Sequence, residues 1–556
     1  MAAAADGRVV IGVDVGTGSV RAGVVDPSNG RLRHVHKHPI HTWTPLAEHF
    51  EQSSDEIWRA VAVCVRAAMA GAGVGADGVG AIAFDATCSL VCVGADGRAV
   101  GVDPTAAGAA ERNVMLWADH RAVLQAAAIN AGAHERLRTV GGTISPEMAM
   151  PKLLWLKEHM PSAFATVNAH GHFFELPDYL MYRASDRRST VRSHCSLVCK
   201  WNYDPSTPSS AGLGWDRSFL TSIGFSEAEL LPHTIGEAVR LAGEPVDGGV
   251  GPLAAAELGL LAGTPLAVGL IDAHAGGVGC LGAPLRAAPR LAARLALICG
   301  TSTCHMASSD APCFARGVWG PYYAAMFDGL YLNEGGQSAA GALLDHLVRT
   351  HPAAGELGEL PHDAVRRRLE QMARARGVPL PCLAADVHVT PDFLGNRSPL
   401  ADPQMRGGVV GLPLSASLDD LALLYLAAVQ SLAYQTKQIV RAMEEAGHTP
   451  FEAVVACGGL AKNSVYIQAH ADALRLPIVF PKEEEAVLLG AAVLAAVAGG
   501  IHPSVPAAMA AMTAVGDELA PSTDALVQAY HERKYKVFLR MTDDQRAYRA
   551  MMNEST

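Results

Sequence analysis

The chain has 556 residues, half of them hydrophobic and 18% charged, with a formal net charge of −11. That length allows two or more domains at ~150 residues each, and the acidic balance argues against nucleic acid as a main partner, which would favour a basic face. No run of about 18 apolar residues lacks a breaker, so no membrane span is predicted. The N-terminal Met-Ala-Ala-Ala-Ala-Asp lacks the basic flank and long apolar core of a signal peptide. Eleven cysteines, an odd number without a CxxC pair, read as reduced thiols in a cytoplasmic protein. His194 beside Cys195 offers too few ligands for a metal.

In chain order, residues 9–26 (V-V-I-G-V-D-V-G-T-G-S-V-R-A-G-V-V-D) read as two apolar strands around a small-residue turn. Such a turn exposes backbone N–H groups and the Thr17 and Ser19 hydroxyls as a phosphate cradle, without a GxxxxGK[ST] loop. Asp14, at the first strand's end, suits Mg2+ directly or through water; an ordinary glycine hairpin is the competing reading. Residues 53–70 open with Ser and acids and turn apolar at helical spacing. Residues 82–93 read as a strand pair interrupted by Asp85-Ala86-Thr87-Cys88-Ser89. Residues 115–121 (M-L-W-A-D-H-R) gather residue types that suit sugar hydroxyls, although Asp119 would equally cap a helix. Residues 151–160 are predicted as an amphipathic helix, and residues 193–201 (S-H-C-S-L-V-C-K-W) end an apolar run on Lys200, placed to reach a cleft.

Residues 266–282 (L-A-V-G-L-I-D-A-H-A-G-G-V-G-C-L-G) form a short apolar strand, one carboxylate and a glycine-rich stretch that permits close packing. Asp272 stands at the strand's carboxyl end, where open α/β sheets bind ligands; it is a candidate catalytic acid or a helix N-cap. The GxGxxG matches at 277–282 and 73–78 sit in the wrong context for a dinucleotide fingerprint. Residues 294–308 repeat the N-terminal pattern, strand, Gly300-Thr301-Ser302-Thr303, strand, which points to two related lobes around one nucleotide. Residues 332–338 bring Glu334 and lead into a helix predicted to start near Ser338, and residues 392–399 (D-F-L-G-N-R-S-P) read as a polar loop. Residues 421–443 are a core helix. A strand over 453–460 runs into Gly458-Gly459, which admit a flat ligand such as adenine. A strand at 476–480, a buried helix at 485–499 and a capped, charged tail helix from Pro521 complete the chain.

Four loops in this order resemble the actin/sugar kinase/heat-shock ATPase fold, and residues 8–500 are similar to the FGGY carbohydrate kinases. The run P-K-L-L-W-L-K-E-H at 151–159 resembles the first family signature, departing at Ala149; the second, near 407–412, departs at Leu424. The strings I-D-A-H-A-G-G, C-G-T-S-T-C-H-M, N-E-G-G-Q-S-A-A-G and D-F-L-G-N-R-S-P-L-A-D resemble the ribulokinase branch, and C-S-L-V-C-K-W with G-H-F-F-E-L-P-D-Y-L its D-ribulokinase subgroup. Asp85-Ala86-Thr87 stands where glycerol kinases carry an Arg-Glu pair.

The resemblance implies an α/β protein of two ribonuclease H-like domains flanking a deep nucleotide/sugar cleft. An N-terminal domain would span 8–275, a C-terminal domain 276–512 and a helical tail 513–556, the tail packing on the body or on a second subunit of a homodimer. It implies an ATP-dependent kinase of D-ribulose, with L-ribulose, D-xylulose or ribitol as alternatives, and no nucleic-acid or membrane partner. Asp272 would be the general base and Asp14 would position Mg2+. Thr17, Gly18, Gly300, Thr301 and Ser302 would hold the ATP phosphates, and Gly458, Gly459 and Asn463 would border adenosine. Asp85, Cys88, Asp119, Lys200, Asp272 and Glu334 would grip the sugar. A nucleotide-driven actin- or chaperone-like ATPase is the main rival; the polar cluster on the sugar side argues against it. A catalytically dead kinase fold is the other, set against the intact loops.

Overall fold

The computed structural model describes residues 7–105, 111–206 and 214–553; residues 1–6, where the signal-peptide pattern is missing, lie outside these. The N-terminal hairpin forms from β1 (Val9–Val15) and β2 (Ser19–Val25), antiparallel, with Val15 opposite Val20 and Asp14 opposite Arg21. β1 is buried along its whole length, which is why its sequence is almost unbroken in apolar residues. β3 (Leu32–Pro39) pairs antiparallel beyond β2; β4 (Val79–Ala86) and β5 (Leu270–Ile271) add in parallel on the other side, giving the order β5-β4-β1-β2-β3. Of the strand predicted over 266–271, only its last two residues run continuously in this sheet.

The second half repeats that plan. β6 (Arg294–Cys299), β7 (Thr303–Ser309) and β9 (Tyr331–Gln337) are antiparallel, while β10 (Ala453–Cys457) and β11 (Ile478–Pro481) lie parallel to β6. β8 (Trp319–Tyr323) and β12 (Val515–Leu519) close the two edges, in the order β8-β9-β7-β6-β10-β11-β12. Three antiparallel strands followed by two parallel ones, twice in one chain, are the two ribonuclease H-like domains.

Helices cover and join the sheets. α1 (Ser54–Ala72) starts where Ser53 accepts a hydrogen bond from the Glu56 N–H at 3.3 Å, as its Ser-Ser-Asp-Glu opening predicts. α2 (Ala149–His159) is buried from Ala149 through Leu156 rather than amphipathic, and even the Lys152 ammonium is inside, donating to the Leu116 carbonyl at 2.7 Å. α3 (His194–Lys200) turns the apolar run before Lys200 into about two helical turns. α4 (Asp272–Leu281) leaves β5, and α7 (Ala486–Ala498) leaves β11; the two cross at the centre of the molecule. A Cβ on Gly279 would stand 1.8 Å from the Ala486 carbonyl oxygen, and one on Gly490 would stand 1.9 Å from that of Ala275. The glycine-rich stretch after Asp272 is therefore the sequence of a close helix crossing.

α5 (Leu418–Glu445) is the core helix, opened by a capping box of Ser417 and Asp420, and α6 (Ser464–Leu474) follows the double glycine. The helix predicted near Ser338 begins at Gly341. The tail is not a separate unit: β12 completes the second sheet, and α8 (Ala525–Asn553) buries Val527, Tyr530, Tyr535 and Phe538. Tyr434 and Lys437 of α5 meet His531 and Glu532 of α8 at 2.9 Å each. Residues 513–553 thus belong to the C-terminal domain. No described helix is long and apolar enough to cross a membrane.

Candidate active site

The site lies where the carboxyl ends of β1, β4 and β5 stand side by side. Asp14 is opposite Asp85 across β1 and β4, Asp85 is opposite Leu270 across β4 and β5, and Asp272 is the first residue beyond β5. Strand register alone therefore brings three carboxylates to one edge, with Asp85 inside β4 rather than in the turn after it. Arg21, the cross-strand neighbour of Asp14, bonds its carboxylate and reaches Glu485 at 2.6 Å.

Three acids and one arginine leave a surplus of negative charge. Burial raises the Asp14 carboxyl above its ordinary range although Arg21 opposes it. Burial, then Asp14 and Asp272, push Asp85 well above that range. Burial and then Asp14 raise Asp272 to about 6, against the Ala273 N–H, His274 and Lys200. Neither oxygen of Asp85 receives an N–H or hydroxyl donor among the described residues. Hard carboxylate oxygens with uncompensated charge fit a hard divalent cation such as Mg2+.

A cavity of about 560 Å3 runs from this edge, lined by Asp14, Gly16, Thr17, Ser19, Asp272, Gly300, Thr301, Ser302, Gly458 and Gly459. The two hairpin turns face each other across it, each closed by a glycine N–H: Gly16 donates to Ser19 O at 3.0 Å and Gly300 to Ser302 O at 2.8 Å. Gly18 sits on the first turn without lining the cavity. Gly458 takes φ +95°, and a Cβ there would stand 2.3 Å from the Cys299 carbonyl oxygen, whereas a Cβ on Gly459 would meet nothing within 4 Å. A second cavity of about 590 Å3 shares Gly300, Thr301 and Gly459 and continues past Asn463 and His362 to Arg366. The Asn463 side chain is committed: its carbonyl caps α6 through the Val465 and Tyr466 N–H groups at 3.1 and 3.2 Å, and its amide donates to the Tyr425 hydroxyl at 2.7 Å.

The opposite end holds buried charges of both signs. Lys200, at the end of α3, has its ammonium 3.9 Å from Glu334 of β9 and 4.3 Å above the Trp319 ring. The Arg397 guanidinium bonds Glu334 and stacks 4.0 Å over the same ring. Burial works against the Glu334 charge, but Lys200, Arg397 and His274 outweigh it and hold its carboxyl well below the usual range. Burial likewise opposes the Lys200 charge, and the ionised Glu334 beside it outweighs burial and keeps the ammonium protonated. Burial pushes the Cys88 thiol up to about 12 against Lys200, so it is a neutral group on the wall.

The structure therefore brings Asp14, Cys88, Lys200, Asp272 and Glu334 to one cleft, with Asp85 directly behind Asp14. Asp119 is corrected: it is buried away from the cleft, its oxygens 2.9 Å from the Arg121 Nε and its Oδ2 accepting the Phe50 N–H at 2.8 Å. Its neighbour Trp117 lines the cleft in its place, donating to the Thr17 hydroxyl at 3.0 Å. Sequence reasoning missed Arg21 and Arg397, which also line the cleft. Arg21 was within reach, because a two-residue alternation from Ser19 puts it on the cleft side of β2; the lone arginine in G-N-R-S-P was a weaker signal.

Comparison with known proteins fixes the family. Residues 9–279 match the N-terminal domain of the FGGY family of carbohydrate kinases, and residues 295–499 its C-terminal domain. The chain belongs to the FGGY family. It is 47% identical over 98% of its length to an FGGY carbohydrate kinase domain-containing protein of Danio rerio, covering 99% of that protein. A D-ribulokinase of Saccharomyces cerevisiae is 39% identical over 89% of this chain and 72% of its own. Among solved structures, ligand-bound xylulose kinase from Lactobacillus acidophilus shares the fold with a TM-score of 0.79 at 19% identity, covering 97% of this chain and 99% of that one. Plasmodium falciparum glycerol kinase with ADP does so at 0.74 and 14%, over 96% and 98%. This FGGY chain is an ATP-dependent sugar kinase.

Proposed function

We propose that this kinase phosphorylates D-ribulose at its terminal hydroxyl, giving D-ribulose 5-phosphate and ADP. The reading is carried by Asp272, a buried carboxyl raised to about 6 at the junction of the acid edge and the Lys200–Glu334 end. A base of that strength is ionised at neutral pH and still accepts a proton. Asp272 takes the proton of the sugar hydroxyl as its oxygen bonds to the γ-phosphorus and the bond from that phosphorus to ADP breaks. Asp14 would hold Mg2+, directly or through water, with the buried Asp85 behind it; when bound the ion would neutralise charge on the transferring phosphoryl group. Thr17, Thr301 and the turn amides orient the phosphates; Gly458 and Gly459 admit the adenine end. Lys200, Glu334 and Cys88 bind the ketose, and Arg397 and Trp319 hold Glu334 and Lys200 in place.

The choice of D-ribulose is supported by the 39% identity to the yeast D-ribulokinase and by Asp85-Ala86-Thr87, which departs from the glycerol-binding pattern. A wrong epimer leaves one of the buried charged groups unpaired, costing ~1–3 kcal/mol, roughly ten- to a hundredfold in specificity. An ADP-release screen over ribuloses, xyluloses, ribitol, arabinitol and glycerol, compared by kcat/KM, tests it. D-ribulose is expected to rank first. Another best substrate removes the ribulose assignment and leaves the kinase; no stimulation by any of them removes the catalytic reading.

A further inference from the structure

α3 carries two thiols four residues apart on one face, Cys195 and Cys199, and α4 lays His274 against them. The two sulfurs and an imidazole nitrogen lie within 4.8 Å of one another, and all three residues are buried. Cys195 Sγ is 3.4 Å from His274 Nδ1. Two donors of one tetrahedral zinc ion, with bonds of ~2.3 Å to sulfur and ~2.0 Å to nitrogen, stand about 3.6 Å apart. The pair is already at that spacing. The other ring nitrogen, Nε2, lies 3.4 Å from Glu334 Oε2, as it does when a carboxylate beyond the metal orients a ligating histidine. His194, adjacent in sequence, points elsewhere, with its Nε2 2.8 Å from the Tyr323 carbonyl oxygen. The phosphoryl-transfer reading uses none of the three donors.

We propose that Cys195, Cys199 and His274 form a binding site for one thiophilic cation, Zn2+ or Cu+, between α3 and α4. Two sulfurs and one imidazole nitrogen are the donors such ions prefer over Mg2+. They complete a three-coordinate Cu+ site and leave one position on a tetrahedral Zn2+. Lys200, next to Cys199, and Glu334, beside His274, both line the cleft, which gives the ion a way in. The bound ion would tie the helix carrying Lys200 to the helix carrying Asp272, so its loading is expected to inhibit the kinase.

The test uses the full chain, reduced and stripped of metal, titrated without oxygen with Zn2+, with Cu+ and with Co2+ as a spectroscopic probe. One ion retained per chain after desalting, with a thiolate-to-cobalt charge-transfer band, is the expected result. Cys195→Ser, Cys199→Ser and His274→Gln should each weaken retention at least tenfold, while Cys304→Ser and Cys382→Ser leave it unchanged. Retention of Zn2+ alone or of Cu+ alone identifies the ion. Wild-type protein that retains neither, or retention lost in Cys304→Ser and kept in Cys195→Ser, overturns the proposal and leaves a thiol–imidazole contact. The first of these needs no variant to fold. A kinase inactive on every sugar could still bind the ion, so this failure and that of the proposed reaction are separable.

Discussion

The two domains share one strand plan and one turn, yet their strand ends differ where it matters. In the N-terminal sheet Asp14 faces Asp85 across the parallel pair; at the matching register of the C-terminal sheet Ile298 faces Cys457. The turns that follow are nearly alike, Gly16-Thr17-Gly18 against Gly300-Thr301-Ser302, and each is closed by a glycine N–H. Duplicated topology thus supplies two opposed sets of backbone donors for one phosphate chain, while the acids stand at the strand ends of only one copy. On the proposed reading, the first domain does the proton and cation chemistry and the second contributes nucleotide contacts and room for adenine.

The largest effect should come from the acid at the end of β5. Asp272→Asn is expected to lower kcat by ~10²–10⁴ while leaving calorimetric binding of both substrates nearly intact. The wild-type rate should be flat above its apparent pKa and fall with unit slope below about pH 6, because the base works only when ionised. A variant keeping more than about a tenth of wild-type kcat would make Asp272 a helix-start residue only.

Next in size is the swap at matched strand positions. Asp14→Ala should cost about ten- to a hundredfold in turnover and shift the Mg2+ dependence, since the charge the ion neutralises is worth several kcal/mol. Ile298→Val, the same place in the other sheet, should change turnover less than about threefold and stability by ~0.5–1.5 kcal/mol. Equal losses at both positions would break the division of labour between the domains.

Most of this was legible because the relevant signals are local. Hairpin turns, the double glycine and the acid after an apolar strand all announce themselves within a few residues, and the repeated hairpin announced the duplication. Register is different. That Asp14, Asp85 and Asp272 share an edge follows from β4 and β5 pairing in parallel across long separations. Asp119 looked like Asp85 in sequence, a small acid near apolar residues, and only the fold shows that Arg121 and the Phe50 N–H consume it. Arg397 comes from a loop about sixty residues beyond Glu334, and the lysines among residues 151–160 make α2 look amphipathic although Lys152 is buried.

Where chemistry divides the domains, packing should treat them alike. Gly279 of α4 and Gly490 of α7 each touch a carbonyl of the opposite helix, so Gly279→Ala and Gly490→Ala should both destabilise by ~1–3 kcal/mol in denaturant titration. Gly18→Ala, whose Cβ meets nothing within 4 Å, should stay within ~0.5 kcal/mol. A silent Gly490→Ala would mean that the helices do not cross this closely in solution.

The smallest effect separates the two threonines. Thr301 is exposed on the cleft and lines both cavities, with its backbone oxygen already taken by the Ala340 and Ala342 N–H groups at 2.9 and 3.1 Å. Its side chain is left to the nucleotide. Thr301→Ala should therefore remove one hydrogen bond worth ~0.5–1.5 kcal/mol, about two- to tenfold in ATP affinity, with the sugar KM unchanged. Thr17 differs because its hydroxyl accepts from Trp117, a half-buried ring on the cleft wall, while Gln52 holds its backbone oxygen at 2.7 Å. Thr17→Ala leaves the indole N–H without that acceptor and frees the ring, so its ATP affinity should fall by a similar factor and its sugar KM should rise as well. Calorimetry with ATP and a KM series with the best ketose give the two numbers for each variant. If both variants change only the ATP side, Trp117 is not held through Thr17, and the first turn is as purely a phosphate loop as the second.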